Sequence, residues 1–323
     1  MSTLWAFLLL LSLISSTLLL PVVTRLNERP IIGILAQEVT DDVFLPFGKT
    51  YIAASYVHFL ESAGCRVAPI QFPGMTSCRG LNLSEDKYVK LFKSINGILF
   101  PGGAVDLLTS DFARTAGIFF KLATESTSDG KDFPIWGTCM GFQVLTALAA
   151  GKNLLERMSA VNISLPLNLV NDVSSSRMFQ NASPELLNIL QHENVTANFH
   201  HYGITPKSFL ENKNLSSFYR ILSTNFDRDG VEFVSSIEAR NFPIYGVQWH
   251  PEVNRFQWNK GEAYPHSVDA IRVSEYMADF FVNEARKSFH SFNSEKEEEQ
   301  SLIYNYVPKY TANISGYEQA YFF

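Results

Sequence analysis

The sequence contains little cysteine and no concentrated positive charge. Its 323 residues include three cysteines, too few for a disulfide framework. The formal net charge is −6, and no run of lysine and arginine forms the basic patch that nucleic-acid binding requires. No spacing of histidine, cysteine and aspartate resembles a metal site. We therefore expect no nucleic-acid partner, no metal and no cofactor.

Long apolar runs are also absent, except near the N-terminus. Residues 4–20 are apolar and uncharged and precede polar residues, which is typical of a secretory signal peptide. No positive side chain precedes the run, so an uncleaved anchor is the alternative. We predict a signal peptide over residues 1–24 and no stable membrane span after its cleavage. A single domain is expected over residues 25–323, with an aromatic tail from about residue 295.

Asn-x-Ser/Thr sequons support a secretory route. Four lie between residues 162 and 214, which indicates that this stretch is rich in surface. The predicted glycosylation sites are Asn82, Asn162, Asn181, Asn194, Asn214 and Asn313. In an oxidising compartment Cys65 could pair with Cys78 and leave Cys139 free, and two unpaired, partly buried cysteines are the alternative.

Short apolar runs alternate with helical patterns along the chain. Near-continuous apolar strands separated by helices indicate a buried, parallel sheet with helices on both faces, and therefore an α/β fold. Strands are predicted at 30–36, 66–70, 95–100, 133–136, 231–237 and 242–249. Helices are predicted at 50–63, 84–93, 107–124 and 267–288. Residues 160–225 are less periodic, and the acidic run at 295–299 is typical of a solvated face.

Two short segments predict a catalytic site. Residues 137–143 (GTCMGFQ) follow an apolar strand and precede an apolar helix, which places Cys139 at a sharp turn between them. Glycines relieve the crowding of such a turn, and a helix N-terminus stabilises a thiolate. His250 and Glu252 flank a proline after another strand, an extended geometry in which both project to one side. The alternatives are an inert cysteine and a loop histidine, but together the segments favour a cysteine nucleophile with a histidine base and an orienting carboxylate.

Backbone N–H groups near this cysteine are predicted to bind an oxyanion. The N–H of Met140 would point toward an oxyanion formed at Cys139. A Pro-Gly-Gly turn ends a neighbouring strand, so Gly102 or Gly103 could supply the second donor. His200 and, with weaker support, the adjacent histidine at 201 are candidates to line the pocket.

These segments resemble known sequences. The pattern of 101–103 (PGG), 137–143 (GTCMGFQ) and 249–252 (WHPE) resembles class I glutamine amidotransferases. Further stretches resemble the gamma-glutamyl hydrolase family, and they cover nearly the whole chain beyond the leader. They are 37–39 (QEV), 47–56 (FGKTYIAASY), 176–181 (SRMFQN), 198–200 (NFH), 281–287 (FVNEARK) and the tail over 302–323. The resemblance implies a flavodoxin-like three-layer sandwich with a mostly parallel central sheet.

The resemblance also implies a function. It is that of a secreted or lysosomal cysteine peptidase, usually a homodimer, that hydrolyses folylpoly-γ-glutamates and antifolate polyglutamates through a thioester. Matching positions make Cys139 the nucleophile, His250 the general base and acid, and Glu252 its orienting carboxylate. Gly103 and Met140 match the oxyanion donors. Gln143 matches a glutamine near the bound glutamyl group, and His200 matches a histidine associated with activity.

Two other functions fit parts of the sequence. A glutamine amidotransferase subunit would release ammonia for a synthetase, but the leader and the sequons count against a cytosolic subunit. A secreted γ-glutamyl-binding module would have kept a dead site. The intact set of Cys139, His250 and Glu252 counts against that alternative.

Overall fold

The computed structural model describes residues 25–72, 85–126 and 133–323. The predicted signal peptide, the sequon at Asn82 and the pairing of Cys65 with Cys78 involve positions outside these described residues. Cys65 itself is buried, and its Sγ lies 3.3 Å from the carbonyl oxygen of Leu60. Within the described ranges, no helix combines the length and apolarity that crossing a membrane would need.

The strands and helices alternate along the first half of the chain. The strands are β1 (Ile31–Leu35), β2 (Gln37–Glu38), β3 (Thr50–Ala53), β4 (Arg66–Ile70), β5 (Gly97–Phe100), β6 (Ile135–Thr138), β7 (Glu156–Leu165), β8 (Asn168–Leu169), β9 (Thr196–Gly203), β10 (Tyr219–Phe226), β11 (Glu232–Ala239), β12 (Ile244–Val247), β13 (Lys309–Tyr310) and β14 (Gln319–Phe322). The helices are α1 (Ala54–Glu61), α2 (Glu85–Phe92), α3 (Asp111–Ser126), α4 (Met140–Ala150), α5 (Pro184–His192), α6 (Pro206–Glu211), α7 (Lys213–Phe218), α8 (Val253–Phe256), α9 (Val268–Ala285) and α10 (Glu295–Ser301).

A mostly parallel sheet forms the centre of the molecule. Its strand order is β4-β1-β5-β6-β12-β11-β10-β8. The pairs from β4 to β12 are parallel, and those from β12 to β8 are antiparallel. Side chains of β1 pack alternately into two hydrophobic cores on opposite faces of the sheet. One core contains residues of α1 and α9, and the other contains residues of α2, α3 and α4. The predicted three-layer α/β fold is confirmed, because strands buried on both faces need helices on both sides.

A second, smaller sheet joins distant parts of the chain. Its strand order is β13-β14-β3-β2. The helix predicted over 50–63 is therefore shorter than expected, because residues 50–53 form β3 and pair with β14. The aromatic tail packs through this pairing, which buries Ala320 and Tyr321.

The less periodic stretch over 160–225 is more ordered than the sequence indicates. It contains most of a two-stranded sheet, β7 with β9, and also β10. Register shifts interrupt both antiparallel pairings, so simple alternation of apolar residues is lost. The acidic run forms α10 and is not only a solvated face, because Glu298 pairs with Arg66.

The sequons differ in exposure. Asn162 is half-buried with φ of 56°, and its Nδ2 donates to the carbonyl of Gly261 at 3.0 Å. The exposed ones within the described ranges are Asn181, Asn194, Asn214 and Asn313.

Candidate active site

Cys139 lies at the turn between β6 and α4. Its φ of 52° is in a region that non-glycine residues seldom adopt. The N–H of Cys139 donates to the carbonyl of Val247 on the adjacent strand β12 at 2.8 Å. Such strain persists where surrounding structure imposes it, as in the nucleophile elbow of a strand–turn–helix unit.

Two glycines allow this turn to pack closely. A Cβ on Gly141 would run into the carbonyl oxygen of Phe100 on β5. A Cβ on Gly137 would lie 2.7 Å from the carbonyl carbon of Gly141. Real Cβ atoms do not approach backbone so closely, so the start of α4 can sit against the sheet only with glycine at both positions.

His250 and Glu252 lie beside the cysteine, after β12. Nδ1 of His250 is 2.7 Å from Oε1 of Glu252, and their side chains are 12% and 2% exposed. Burial lowers the pKa of His250, but the charges of Glu252 and Cys139 and hydrogen bonds to both outweigh it and raise that pKa to about 10. The ring is therefore positive at acid and neutral pH, where it stabilises negative charge on the sulfur.

Tyr56 on α1 is a site residue that sequence reasoning missed. Its hydroxyl accepts a hydrogen bond from the N–H of Gly102 at 2.8 Å and lies 3.4 Å from Nδ1 of His250. Burial raises the pKa of Tyr56 well above its usual value, so the phenol stays neutral. Tyr56 matches the apolar spacing of α1, and that pattern carries no signal of a polar role.

The N–H groups predicted to bind an oxyanion differ in whether they already donate a hydrogen bond within the protein. The N–H of Gly102 already donates a hydrogen bond to the hydroxyl of Tyr56, so it has an acceptor other than an oxyanion. Gly103 lines the space beside Cys139. Met140 is the first residue of α4, where a helical N–H has no partner within the helix. The N–H groups of Gly103 and Met140 are therefore better placed to bind an oxyanion than the N–H of Gly102.

Two cavities meet at Cys139. The first, of about 450 Å³, is lined by His250, Glu252 and the tail residue Tyr317. The second, of about 590 Å³, is lined by Met140, Gln143, His200, His201 and Tyr202. Gly103 and Cys139 line both, so an extended substrate could place one part on either side of the sulfur.

His200 is held inside the second cavity's wall. It is 3% exposed, and its Nδ1 lies 3.0 Å from the carbonyl oxygen of Tyr202. Burial lowers the pKa of His200 to about 3, so its ring is neutral. Gln143 donates from Nε2 to the same carbonyl at 2.8 Å, whereas His201 is exposed.

No cluster of three or more His, Cys, Asp or Glu side chains with metal-binding geometry occurs in the described parts of the chain. The groups that lie at the site are the Cys139 thiol, the His250 imidazole and backbone N–H donors. The Cys139 sulfur, the positively charged His250 and the nearby N–H groups are the parts needed for acyl transfer.

Known proteins are similar to this chain in sequence or in fold. The family model described as Peptidase C26 matches residues 30–252. Gamma-glutamyl hydrolase of Homo sapiens is 48% identical over 92% of this chain and 90% of that protein. Gamma-glutamyl hydrolase of Rattus norvegicus is 47% identical over 93% and 91%. The glutaminase domain of Trypanosoma brucei CTPS with bound acivicin shares the fold, with a TM-score of 0.50, 16% identity, and coverage of 83% of this chain and 98% of that one.

Proposed function

This chain belongs to the gamma-glutamyl hydrolases of the Peptidase C26 family, and we propose that it shortens folylpoly-γ-glutamates and antifolate polyglutamates. It is a cysteine-dependent hydrolase of γ-glutamyl bonds. The observation that supports a polymeric substrate is the meeting of two cavities at Cys139, because a γ-glutamyl chain has groups on both sides of the scissile amide.

The first half of the reaction forms a thioester. The Cys139 thiolate attacks the γ-carbonyl carbon, a C–S bond forms and the π electron pair moves to oxygen. The oxyanion accepts hydrogen bonds from the N–H groups of Met140 and Gly103. As the C–N bond breaks, His250 gives its proton to the leaving nitrogen and becomes neutral.

The second half restores the enzyme. Neutral His250 takes a proton from water, and the hydroxide adds to the thioester carbon. The C–S bond then breaks to release a carboxylic acid, which leaves the thiolate and the imidazolium as they began. Glu252 keeps Nδ1 of His250 hydrogen-bonded, so Nε2 faces the reacting atoms throughout.

The position of His250 supports an assignment of the two cavities to the two parts of the substrate. The leaving amine must lie on the side of the general acid, which is the cavity lined by His250 and Glu252. The acyl part then occupies the cavity lined by Met140 and Gln143. In this arrangement Gln143 and His200 contact the γ-glutamyl donor or support its pocket.

Hydrolysis of pteroyl-penta-γ-glutamate at about pH 5 tests this function. Wild type and Cys139→Ala are compared by chromatography, with free glutamine as a parallel substrate. Shortening of the chain by wild type alone supports the proposal. Release of ammonia from glutamine without shortening would favour an amidotransferase, and neither activity would favour a binding module.

The secretory route and the oligomeric state are part of the proposal. The exposed sequons fit a secreted or lysosomal glycoprotein, and the family resemblance implies a homodimer. Glycosidase treatment of protein made in a secretory host should lower its mass, and light scattering should give twice the chain mass. An unchanged mass would contradict glycosylation, and a monomer would contradict the homodimer.

A further inference from the structure

Gln37 is a buried polar residue that contacts the Gly102–Gly103 turn after β5. It lies on β2 and is 2% exposed. Its Nε2 donates a hydrogen bond to the carbonyl oxygen of Gly102. Gln37 takes no part in the bond-making steps of acyl transfer, although burying an amide side chain is costly unless its groups are satisfied.

The carbonyl that Gln37 binds belongs to the same peptide unit as the N–H of Gly103. A trans peptide is planar, so its C=O and N–H point in opposite directions. A donor that fixes the carbonyl of Gly102 therefore also fixes the direction of the Gly103 N–H. The N–H of Gly102 is bonded to Tyr56, which restrains the preceding peptide as well.

The absence of a side chain on Gly103 makes this contact possible. A Cβ at that position would overlap the carboxamide of Gln37. The amide of Gln37 thus lies directly against the backbone of Gly103, in the turn after β5 that lines the space beside Cys139. The close approach accounts for glycine here without any need for a positive φ.

The other end of the Gln37 carboxamide is also held. Its Oε1 accepts a hydrogen bond from the hydroxyl of Tyr51 at 3.2 Å, and Tyr51 lies opposite Gln37 in the pairing of β2 with β3. Tyr51 is in turn hydrogen-bonded to Tyr317 of the tail. Because β14 pairs with β3, the tail helps to keep this amide in one orientation.

We infer that Gln37, held by Tyr51, is a positioning residue that directs the Gly103 N–H toward the oxyanion formed at Cys139. The inference rests on the proposed function, since it concerns the same acyl-transfer site. It predicts a specific defect. Loss of the Gln37 amide weakens transition-state stabilisation but leaves the reactivity of Cys139 beside His250 unchanged.

The test uses Gln37→Leu and the isosteric Gln37→Glu in the full chain, with Tyr321→Phe as the control. Loss of an oxyanion donor lowers kcat by about 10²–10³-fold, so misdirecting one should lower it by about tenfold or more while KM stays within about twofold. Alkylation of Cys139 by iodoacetamide needs no oxyanion, and its rate should stay within about twofold of wild type. Tyr321→Phe removes a tyrosine hydroxyl from the same sheet, and its kcat, KM and alkylation rate should match those of wild type.

Several outcomes would overturn the inference. An unchanged kcat in both variants would show that Gln37 does not position the donor. A raised KM with a normal kcat would indicate that Gln37 contacts the substrate directly. An equal fall in the alkylation rate and in kcat would show that the substitution disturbs Cys139 itself. Melting temperatures identify a variant that fails to fold. If Gln37→Leu does not fold, the kinetics of the isosteric Gln37→Glu test the inference. Wild type is measured first, because its failure to cleave the γ-glutamyl substrate contradicts the proposed function, whereas normal wild-type turnover with unaffected variants contradicts only the role of Gln37.

Discussion

The charge on His250 is the residue-scale property on which the mechanism depends. Its pKa of about 10 lies above the usual 6.5, so protonation of His250 stabilises the folded state. That stabilisation is complete below about pH 6.5 and is lost as pH rises toward 10. The folded site and its charged form are therefore favoured together at acid pH.

Removing the carboxylate beside His250 should expose this coupling. In Glu252→Gln the largest contribution that raises the pKa of His250 disappears, so the basic limb of the kcat/KM profile should move to lower pH. We expect kcat to fall by about 10²-fold or more, because the ring also loses its orienting partner. The full pH–rate profile is the measurement.

Glu284→Gln is the matched control for that prediction. Glu284 is also buried and accepts a hydrogen bond from Tyr245 at 3.0 Å, but it lies on α9. This variant can lose stability, yet its pH–rate profile should keep the wild-type shape. An unshifted profile in Glu252→Gln would contradict the assigned role of Glu252.

His200 should have the opposite effect on stability. Its folded pKa of about 3 lies below 6.5, so the unfolded chain binds the proton first as pH falls. Between pH 6.5 and 5 this difference should cost about 2 kcal/mol of stability, which His200→Gln should remove. Urea unfolding at the two pH values tests it, and an equal loss in wild type and variant would show that His200 is not buried in its neutral form.

The catalytic residues were predictable where a short sequence motif identifies them. Cys139 sits between turn glycines, and the His-Pro-Glu spacing identifies its two partners, so the sequence points to all three and the structure brings them together. Tyr56 and Gln37 were missed as polar site residues. Their roles depend on contacts with Gly102, which is distant in sequence, and neither lies in a motif that predicts such contacts.

At the scale of elements, the close packing of α4 against the sheet can be tested with glycine variants. Gly141→Ala would force a Cβ against the carbonyl of Phe100 and should destabilise the fold by about 2 kcal/mol or more and abolish activity. Gly117→Ala on α3 is the control, since its Cβ would meet only Leu148 at 3.4 Å. Alanine should stabilise that helix by up to about 1 kcal/mol. Chemical unfolding of both variants is the measurement, and equal stability would contradict the packing argument.

The accuracy of the predicted elements follows from how each is stabilised. Buried parallel strands such as β1, β4 and β5 were located within two residues, because each is a short apolar run between helices. The strand β3 was taken for the start of a helix. Its extended form depends on pairing with β14, which is far away in the chain, and local periodicity cannot show such pairing.

At the scale of the whole molecule, the tail pairs with β3 and lines the cavity beside Cys139. Tyr321 on β14 is buried in the core shared with α1, whereas Tyr310 on β13 is 63% exposed. Tyr321→Ala should destabilise the protein by about 3 kcal/mol, and Tyr310→Ala should change stability by less than about 0.5 kcal/mol. Thermal unfolding measures both. Equal stabilities would mean that the tail does not anchor the small sheet.

Direct detection of the acyl-enzyme tests the central claim, which is that Cys139 forms a thioester with the γ-glutamyl donor. Wild-type protein is mixed with pteroyl-penta-γ-glutamate, quenched in acid within one turnover and weighed intact by mass spectrometry. We predict an added mass equal to the acyl part, removable by hydroxylamine, mapped to Cys139 and absent from Cys139→Ala. Substrate cleavage without this adduct, or an adduct that persists in Cys139→Ala, would contradict the account.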